Sequence, residues 1–170
     1  EALSGQLVTE ALRSLGAQIL NCKGKRFVNE LDFRDKVAAA IIKECAQGKG
    51  IQAPSGKTGV WLDLPMIELK QGKGTLRKIF PGLINRLERF DIEPEKNPVL
   101  IYPTLHYQNG GIKIDKNCQT DFQGLWAAGE ATGGLHGINR LMGNSLLDII
   151  VFGRLAGQSI IENISERKPI

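Results

Sequence analysis

The sequence lacks any apolar run of the roughly 18 residues or more that a membrane-spanning helix requires. Its N-terminal segment also lacks a basic stretch followed by an apolar one, so we do not expect this segment to be a secretory signal peptide. We therefore expect no direct membrane span. The chain starts without Met and enters a helical pattern within a few residues, so we interpret it as a piece of a larger protein.

Cysteine and clustered positive charge are scarce as well. The three cysteines, Cys22, Cys45 and Cys118, lie far apart without a CxxC motif, so we predict no zinc or other metal site. Unpaired thiols fit a reducing compartment, and the expected location is cytoplasmic or membrane-peripheral. The net charge is +4, yet the basic residues are spread out. Because nucleic-acid-binding proteins show a basic stripe interleaved with aromatics, we expect no nucleic-acid partner.

The hydrophobic spacing predicts both helices and strands, and we expect an α+β fold. The turn-rich connector 91–98 is the predicted domain boundary. The predicted helices are 6–15, 34–47, 75–90 with an interruption at Pro81, and about 144–162. The predicted strands are the hairpin 17–22 and 25–29, then 60–64, 99–105, 112–115 and 124–129. Asp32 is the predicted N-cap of the second helix, with Asp35 in the capping-box position, which places Arg34 in its first turn.

Five glycines are concentrated between the last predicted strand and the last predicted helix. Gly129, Gly133, Gly134, Gly137 and Gly143 fall within 15 residues. A buried strand, a glycine turn and a helix N-terminus together favour an anion or dinucleotide site. The alternative is a mobile surface loop, and the GxGxxG fingerprint is absent.

The motifs HYxxGGI, GLWAAGE and GLHGxNRLxGNSL supply a more specific signal. Together they resemble the C-terminal part of the FAD domain in the fumarate reductase and succinate dehydrogenase flavoprotein family, which includes L-aspartate oxidase. The upstream stretch from Thr9 to Ile41 is similar to the segment that leads into the capping domain of that family. The resemblance spans residues 7–160 and implies a capping domain over 1–98 joined to the C-terminal part of an FAD-binding α/β domain over 99–170. It also implies that the N-terminal dinucleotide-binding half precedes Glu1.

The resemblance implies FAD as the cofactor and assigns residues to it. Glu130 would bond a ribose or ribityl hydroxyl, and backbone groups of Asn144, Ser145 and Leu146 would face the pyrimidine edge of the flavin. The positive end of the last helix dipole favours negative charge there. The other residues that the resemblance places around the flavin are Gly110, Gly111, Gly129 and His136.

The resemblance also assigns substrate and catalytic residues. His106 and Arg140 would bind one substrate carboxylate, and Thr9 would help to hold the other. Arg34 would be the proton donor, reloaded through Glu10 and Arg13. On the residues alone, Glu10 and Arg13 are also compatible with an ordinary surface ion pair three positions apart on a helix.

The implied function is an FAD-dependent oxidoreductase that interconverts fumarate and succinate, with hydride from the flavin and a proton from an arginine. Its partners would be a small dicarboxylate and an electron-transfer partner that the chain does not identify. The alternatives are a succinate dehydrogenase or L-aspartate oxidase flavoprotein, or a non-catalytic piece that binds no flavin on its own. Gln108 and Asn109 depart from the family pattern, so the reaction type is better defined than the dicarboxylate.

Overall fold

The computed structural model describes residues 5–141 and 143–166, arranged in two compact units that divide between Thr104 and Leu105. Residues 1–4, Met142 and 167–170, which fall within the predicted domains and motifs, lie outside the described residues. The strand that we expected to open the second domain is part of the first unit, because it pairs there with a central strand. The description of the first unit as a capping domain stays a prediction.

The first unit contains a four-stranded antiparallel arrangement centred on one strand. The strands are β1 (Gln18–Leu20), β2 (Ile51–Gln52), β3 (Thr58–Asp63) and β4 (Val99–Ile101). All three outer strands pair with β3, and Trp61 lies opposite both Leu20 and Leu100. The short strand β2 falls inside the stretch that we expected to be a loop.

Five helices accompany these strands in the described part of the first unit, residues 5–104. They are α1 (Ala11–Ser14), α2 (Arg34–Ala46), α3 (Pro65–Gln71), α4 (Thr75–Ile79) and α5 (Pro81–Glu88). Each helix contributes residues to one shared apolar core, which contains Leu12, Ile19, Val37, Ile41, Val60, Leu62, Ile67, Leu76, Ile84 and Leu87. The predicted interruption at Pro81 is confirmed, because proline fits the first position of α5 and cannot continue α4.

Three local predictions in this unit are wrong. Asp32 does not cap α2: Phe33 is the N-cap residue, without a side-chain cap hydrogen bond, so the Asp35 capping box does not form either. The returning strand of the hairpin is reduced to one bridge between Leu20 and Arg26. There, the side chain of Asn21 accepts hydrogen bonds from nearby backbone N–H groups and closes the turn locally.

The second unit has one long helix, α6 (Asn144–Glu166), whose predicted start at Asn144 is confirmed. Within residues 105–141 and 143–166, the strands predicted over 112–115 and 124–129 occur only as isolated bridges, Ile112 to Thr132 and Gln119 to Trp126. A short 3-10 turn, Gly129–Ala131, replaces the end of the second of these predicted strands. Of the helices that the structure describes, none is long and apolar enough to cross a membrane.

Candidate functional site

In the first unit, the Glu10 carboxylate joins the two arginines that the sequence analysis assigned to proton transfer. Its Oε1 lies 2.7 Å from Arg13 Nη2, and its Oε2 accepts a hydrogen bond of 2.6 Å from Arg34 Nε. Arg34 is the first residue of α2, so the chain between α1 and α2 folds back to bring it to Glu10. The surface ion pair considered as the alternative joins only Glu10 and Arg13, which are three residues apart. The additional hydrogen bond to Arg34, 24 residues from Glu10, is not part of such a pair.

Arg13 is held from its other side by a buried residue that the sequence analysis missed. Its Nη1 donates to the backbone carbonyl of Glu30. The Glu30 carboxylate accepts hydrogen bonds from the N–H of Ile19 at 2.9 Å and from Arg26 Nη2 at 2.6 Å. Burial alone would raise the pKa of Glu30, but these hydrogen bonds outweigh it and lower the pKa below its ordinary value. The spacing of four residues between Arg26 and Glu30 could have identified this ion pair from the sequence, but not the burial of Glu30.

Thr9 precedes this cluster, and its hydroxyl oxygen lies 3.4 Å from the backbone N–H of Ala11. The side chain is half-buried at the start of α1. This contact lies at the N-terminus of α1, the helix that contains Arg13. A role of Thr9 in substrate binding stays a prediction.

In the second unit, a pocket of about 280 Å³ is lined by the motif residues Gly110 and Glu130, among others. The backbone N–H of Gln108 donates to Glu130 Oε1 at 2.7 Å, which orients the carboxylate. The pocket is lined by Gln108, Gly110, Gly111, Glu130 and Ala131. It therefore presents a carboxylate and glycine backbone together, the groups that the sequence analysis assigned to FAD.

The glycines near this pocket serve two different purposes. A Cβ at Gly111 would meet the carbonyl oxygen of Ala131 at 2.3 Å, and a Cβ at Gly133 would meet the Gly111 oxygen at 2.8 Å. These two glycines are needed because two segments of the chain itself approach closely. A Cβ at Gly110 would meet nothing within 4 Å, so the backbone there is open.

Arg140 and His136 belong to a cluster of rings and charges in the second unit. Arg140 is buried, and its guanidinium carbon lies 4.3 Å from the ring centroid of Tyr107. The His136 ring meets Tyr107 edge-on, with centroids 6.0 Å apart. On its other side, His136 Nε2 lies 3.2 Å from Oδ2 of Asp148, a buried residue of α6. Tyr107 and Asp148 were not predicted as site residues.

Two buried polar atoms of this cluster have no hydrogen-bond partner among the described residues, namely Arg140 Nε and Asp148 Oδ1. Buried unpaired polar atoms are rare in native proteins and often mark functional positions. Burial, and then the nearby negative charge of Asp148, raise the pKa of Tyr107. The Tyr107 hydroxyl therefore stays protonated at neutral pH.

The remaining predicted residues of this unit differ in their surroundings. His106 is exposed and forms no hydrogen bond or ion pair with the part of the chain that the structure describes. Asn144, Ser145 and Leu146 form the first turn of α6, where the helix dipole is positive. Gly129 is buried, and a Cβ there would meet a side chain of α6 at 2.9 Å.

Comparison with known proteins identifies the family. A model of the FAD binding domain family matches residues 1–146. The fumarate reductase flavoprotein subunit of Escherichia coli is 37% identical over 94% of this chain and 29% of its own length. An L-aspartate oxidase of Pyrococcus horikoshii is 40% identical over 96% of this chain and 31% of its own length.

The solved structure of a quinol fumarate reductase from Escherichia coli matches 98% of this chain and 31% of its own, with 34% identity and a TM-score of 0.82. The chain thus spans less than a third of the length of each of these proteins. The matches confirm the resemblance found in the motifs. The chain belongs to the FAD binding domain family, whose cofactor is FAD, and its relatives include fumarate reductase and L-aspartate oxidase flavoproteins.

Proposed function

We propose that the complete gene product is an FAD-dependent oxidoreductase that interconverts fumarate and succinate. The observation that carries this proposal is the Glu10 carboxylate held between Arg13 and Arg34. A reductase of this kind must protonate one alkene carbon, and a guanidinium in contact with a carboxylate is a proton donor that can be reloaded. The names of several relatives support the same reaction.

The second unit fits FAD on observations of its own residues. The pocket of about 280 Å³ carries an oriented carboxylate, Glu130, and the open backbone of Gly110. When bound, FAD supplies a hydride donor and acceptor. The residues that would hold it are Gly110, Gly111, Gly129, Glu130, His136 and the first turn of α6.

Arg34 is the proposed proton donor. A free guanidinium is a poor acid, so the accepting carbon must be strongly basic at that moment. Glu10 lies 2.6 Å from Arg34 Nε, which is close enough to return a proton after each turnover. Arg13 keeps the same carboxylate oriented through its opposite oxygen.

Arg140, with His106, is the proposed binding site for one substrate carboxylate, and Thr9 is proposed to contribute to holding the other. Among the described residues, Arg140 forms no ion pair, and its one hydrogen bond is from Nη1 to the Leu141 carbonyl at 3.0 Å. Its positive charge therefore remains available to an anion. The guanidinium can bind a carboxylate through two parallel hydrogen bonds.

The test is a comparison of substrates on the purified, FAD-containing complete gene product. We expect fumarate reduction by a reduced dye and succinate oxidation by an oxidised one. We also expect Glu10→Gln to lower fumarate reduction by about a hundredfold or more, since amide nitrogen cannot relay the proton. The matched control is Glu93→Gln, which alters an exposed pair with Lys96 at the same three-residue spacing.

The alternatives give different results in the same assay. Oxidation of L-aspartate with no turnover of fumarate or succinate would identify an L-aspartate oxidase, the activity that the Pyrococcus horikoshii relative is named for. Oxidation of succinate far faster than fumarate reduction would favour a succinate dehydrogenase. An unchanged rate in Glu10→Gln would remove the proposed relay. Absorbance of the isolated 170-residue chain tests whether it binds flavin on its own.

A further inference from the structure

We propose that Tyr107 is a positioning residue for Arg140, with its ring face holding the guanidinium in one plane for a substrate carboxylate. The inference rests on the proposed function, in which Arg140 binds that carboxylate.

Arg140 is a buried cation without a carboxylate partner among residues 105–141 and 143–166. Its guanidinium carbon lies 4.3 Å from the centroid of the Tyr107 ring. A ring face attracts a cation, and the attraction strengthens where water is excluded. Tyr107 therefore stabilises the charge of Arg140 without neutralising it.

The orientation of the guanidinium decides which of its N–H groups can bind a ligand. Nη1 is occupied by the carbonyl of Leu141, whereas Nε and Nη2 have no described partner. Nε and Nη2 form an edge of the guanidinium that can bind a carboxylate bidentately, and a carboxylate bound there would supply the hydrogen bond that the buried Nε lacks. A tilt of the guanidinium plane would misalign both donors at once, so a rigid support below the plane raises affinity.

Tyr107 is itself supported from α6. The His136 ring packs against it edge-on, with an angle of 72° between the ring planes. His136 is in turn held by the buried carboxylate of Asp148. Arg140 is thus supported through the rings of Tyr107 and His136 by α6, a helix of 23 residues.

The experiment compares substitutions of Tyr107 in the FAD-containing complete gene product. The readouts are the Kd of malonate, measured by the shift in flavin absorbance, and KM and kcat for fumarate. We expect Tyr107→Leu to weaken malonate binding and raise KM by about tenfold, a typical loss for a desolvated cation–π contact. Tyr107→Phe keeps the ring face and should keep both constants within about twofold. Tyr102→Leu, at the other tyrosine of the chain, is the matched control.

A second series covers the case in which Tyr107→Leu does not fold. Tyr107 is replaced by phenylalanine and by its mono-, di- and trifluorinated forms, which keep the ring shape while weakening its negative face. A stepwise rise in the malonate Kd supports the proposal, and a constant Kd overturns it.

Arg140→Lys separates this inference from the proposed function. If Arg140→Lys weakens malonate binding but loss of the Tyr107 ring face does not, the positioning role of Tyr107 is wrong and the carboxylate site stands. If neither change affects malonate binding, Arg140 does not bind the substrate carboxylate. In that case both the role of Arg140 in the proposed function and the positioning role of Tyr107 are wrong.

Discussion

Replacement of Arg34 by alanine should separate catalysis from stability. Arg34 is the first residue of α2, and its ion pair with Glu10 is about a third exposed on both sides. Exposed pairs of this kind contribute about 0–1 kcal/mol to the free energy of unfolding. A cation in the first turn of a helix costs about 0.3–1 kcal/mol against the helix dipole. The two effects offset each other, so Arg34→Ala should change the free energy of unfolding by less than about 1 kcal/mol.

The stability change stays small for a second reason. Glu10 keeps its ion pair with Arg13 after the substitution, so the carboxylate is not left without a partner. Fumarate reduction should nevertheless fall by about a thousandfold, within the range of general acid catalysis. Reduction of the bound flavin by an external donor should continue, since that step needs no proton from Arg34.

The assay combines urea unfolding, a flavin-reduction trace and steady-state fumarate reduction on one preparation of the complete gene product. Arg77→Ala is the control, because it removes an arginine that pairs with Glu88 and Glu95 elsewhere on the first unit. Retained fumarate reduction in Arg34→Ala would refute the donor role. A loss of more than about 3 kcal/mol in stability would show that Arg34 is mainly structural.

Two further predictions concern stability. Glu30→Gln should lower the free energy of unfolding by about 2 kcal/mol at neutral pH, through loss of hydrogen bonds to a buried charge. Because folding lowers the Glu30 pKa, its contribution is complete above the ordinary value of 4.5 and disappears as the pH falls through the folded value. Urea unfolding of both proteins should therefore converge in acid, and a constant difference would contradict this account. Gly111→Ala should destabilise the second unit by about 2 kcal/mol or more, because its Cβ would overlap the Ala131 carbonyl. Gly110→Ala has open space and should cost clearly less in the same thermal unfolding measurement.

The parts of the structure that sequence predicted well depend on local rules or on long motifs. Pro81 divides two helices because proline lacks the N–H that helix continuation needs. The start of α6 at Asn144 directly follows Gly143, whose positive φ marks a local break in the backbone before the helix. The contact of Arg34 with Glu10 was expected from the family motif, since 24 residues of spacing carry no local information.

The parts that sequence missed depend on tertiary contacts. The segments 112–115 and 124–129 have strand-like composition, yet each pairs through a single bridge. Asp32 is a good N-cap residue by type, but the helix begins after Phe33 instead. Glu30 and Tyr107 gain their importance from neighbours that are remote in sequence, Ile19 for one and Arg140 for the other. Propensity describes a residue and its near neighbours, so it cannot identify such partners.

Arg34 and Arg140 have opposite surroundings, and each suits a different proposed task. Arg34 contacts a carboxylate, which can return a proton to it but also reduces its net positive charge. Arg140 contacts a ring face, which cannot return a proton but leaves its full charge available. A carboxylate beside Arg140 would compete with an anionic substrate for the same N–H groups. An aromatic ring beside Arg34 could not return a proton to it, so Arg34 would act as a donor only once. The proposed roles of the two arginines therefore follow from their partners, and exchanging those partners should abolish both functions.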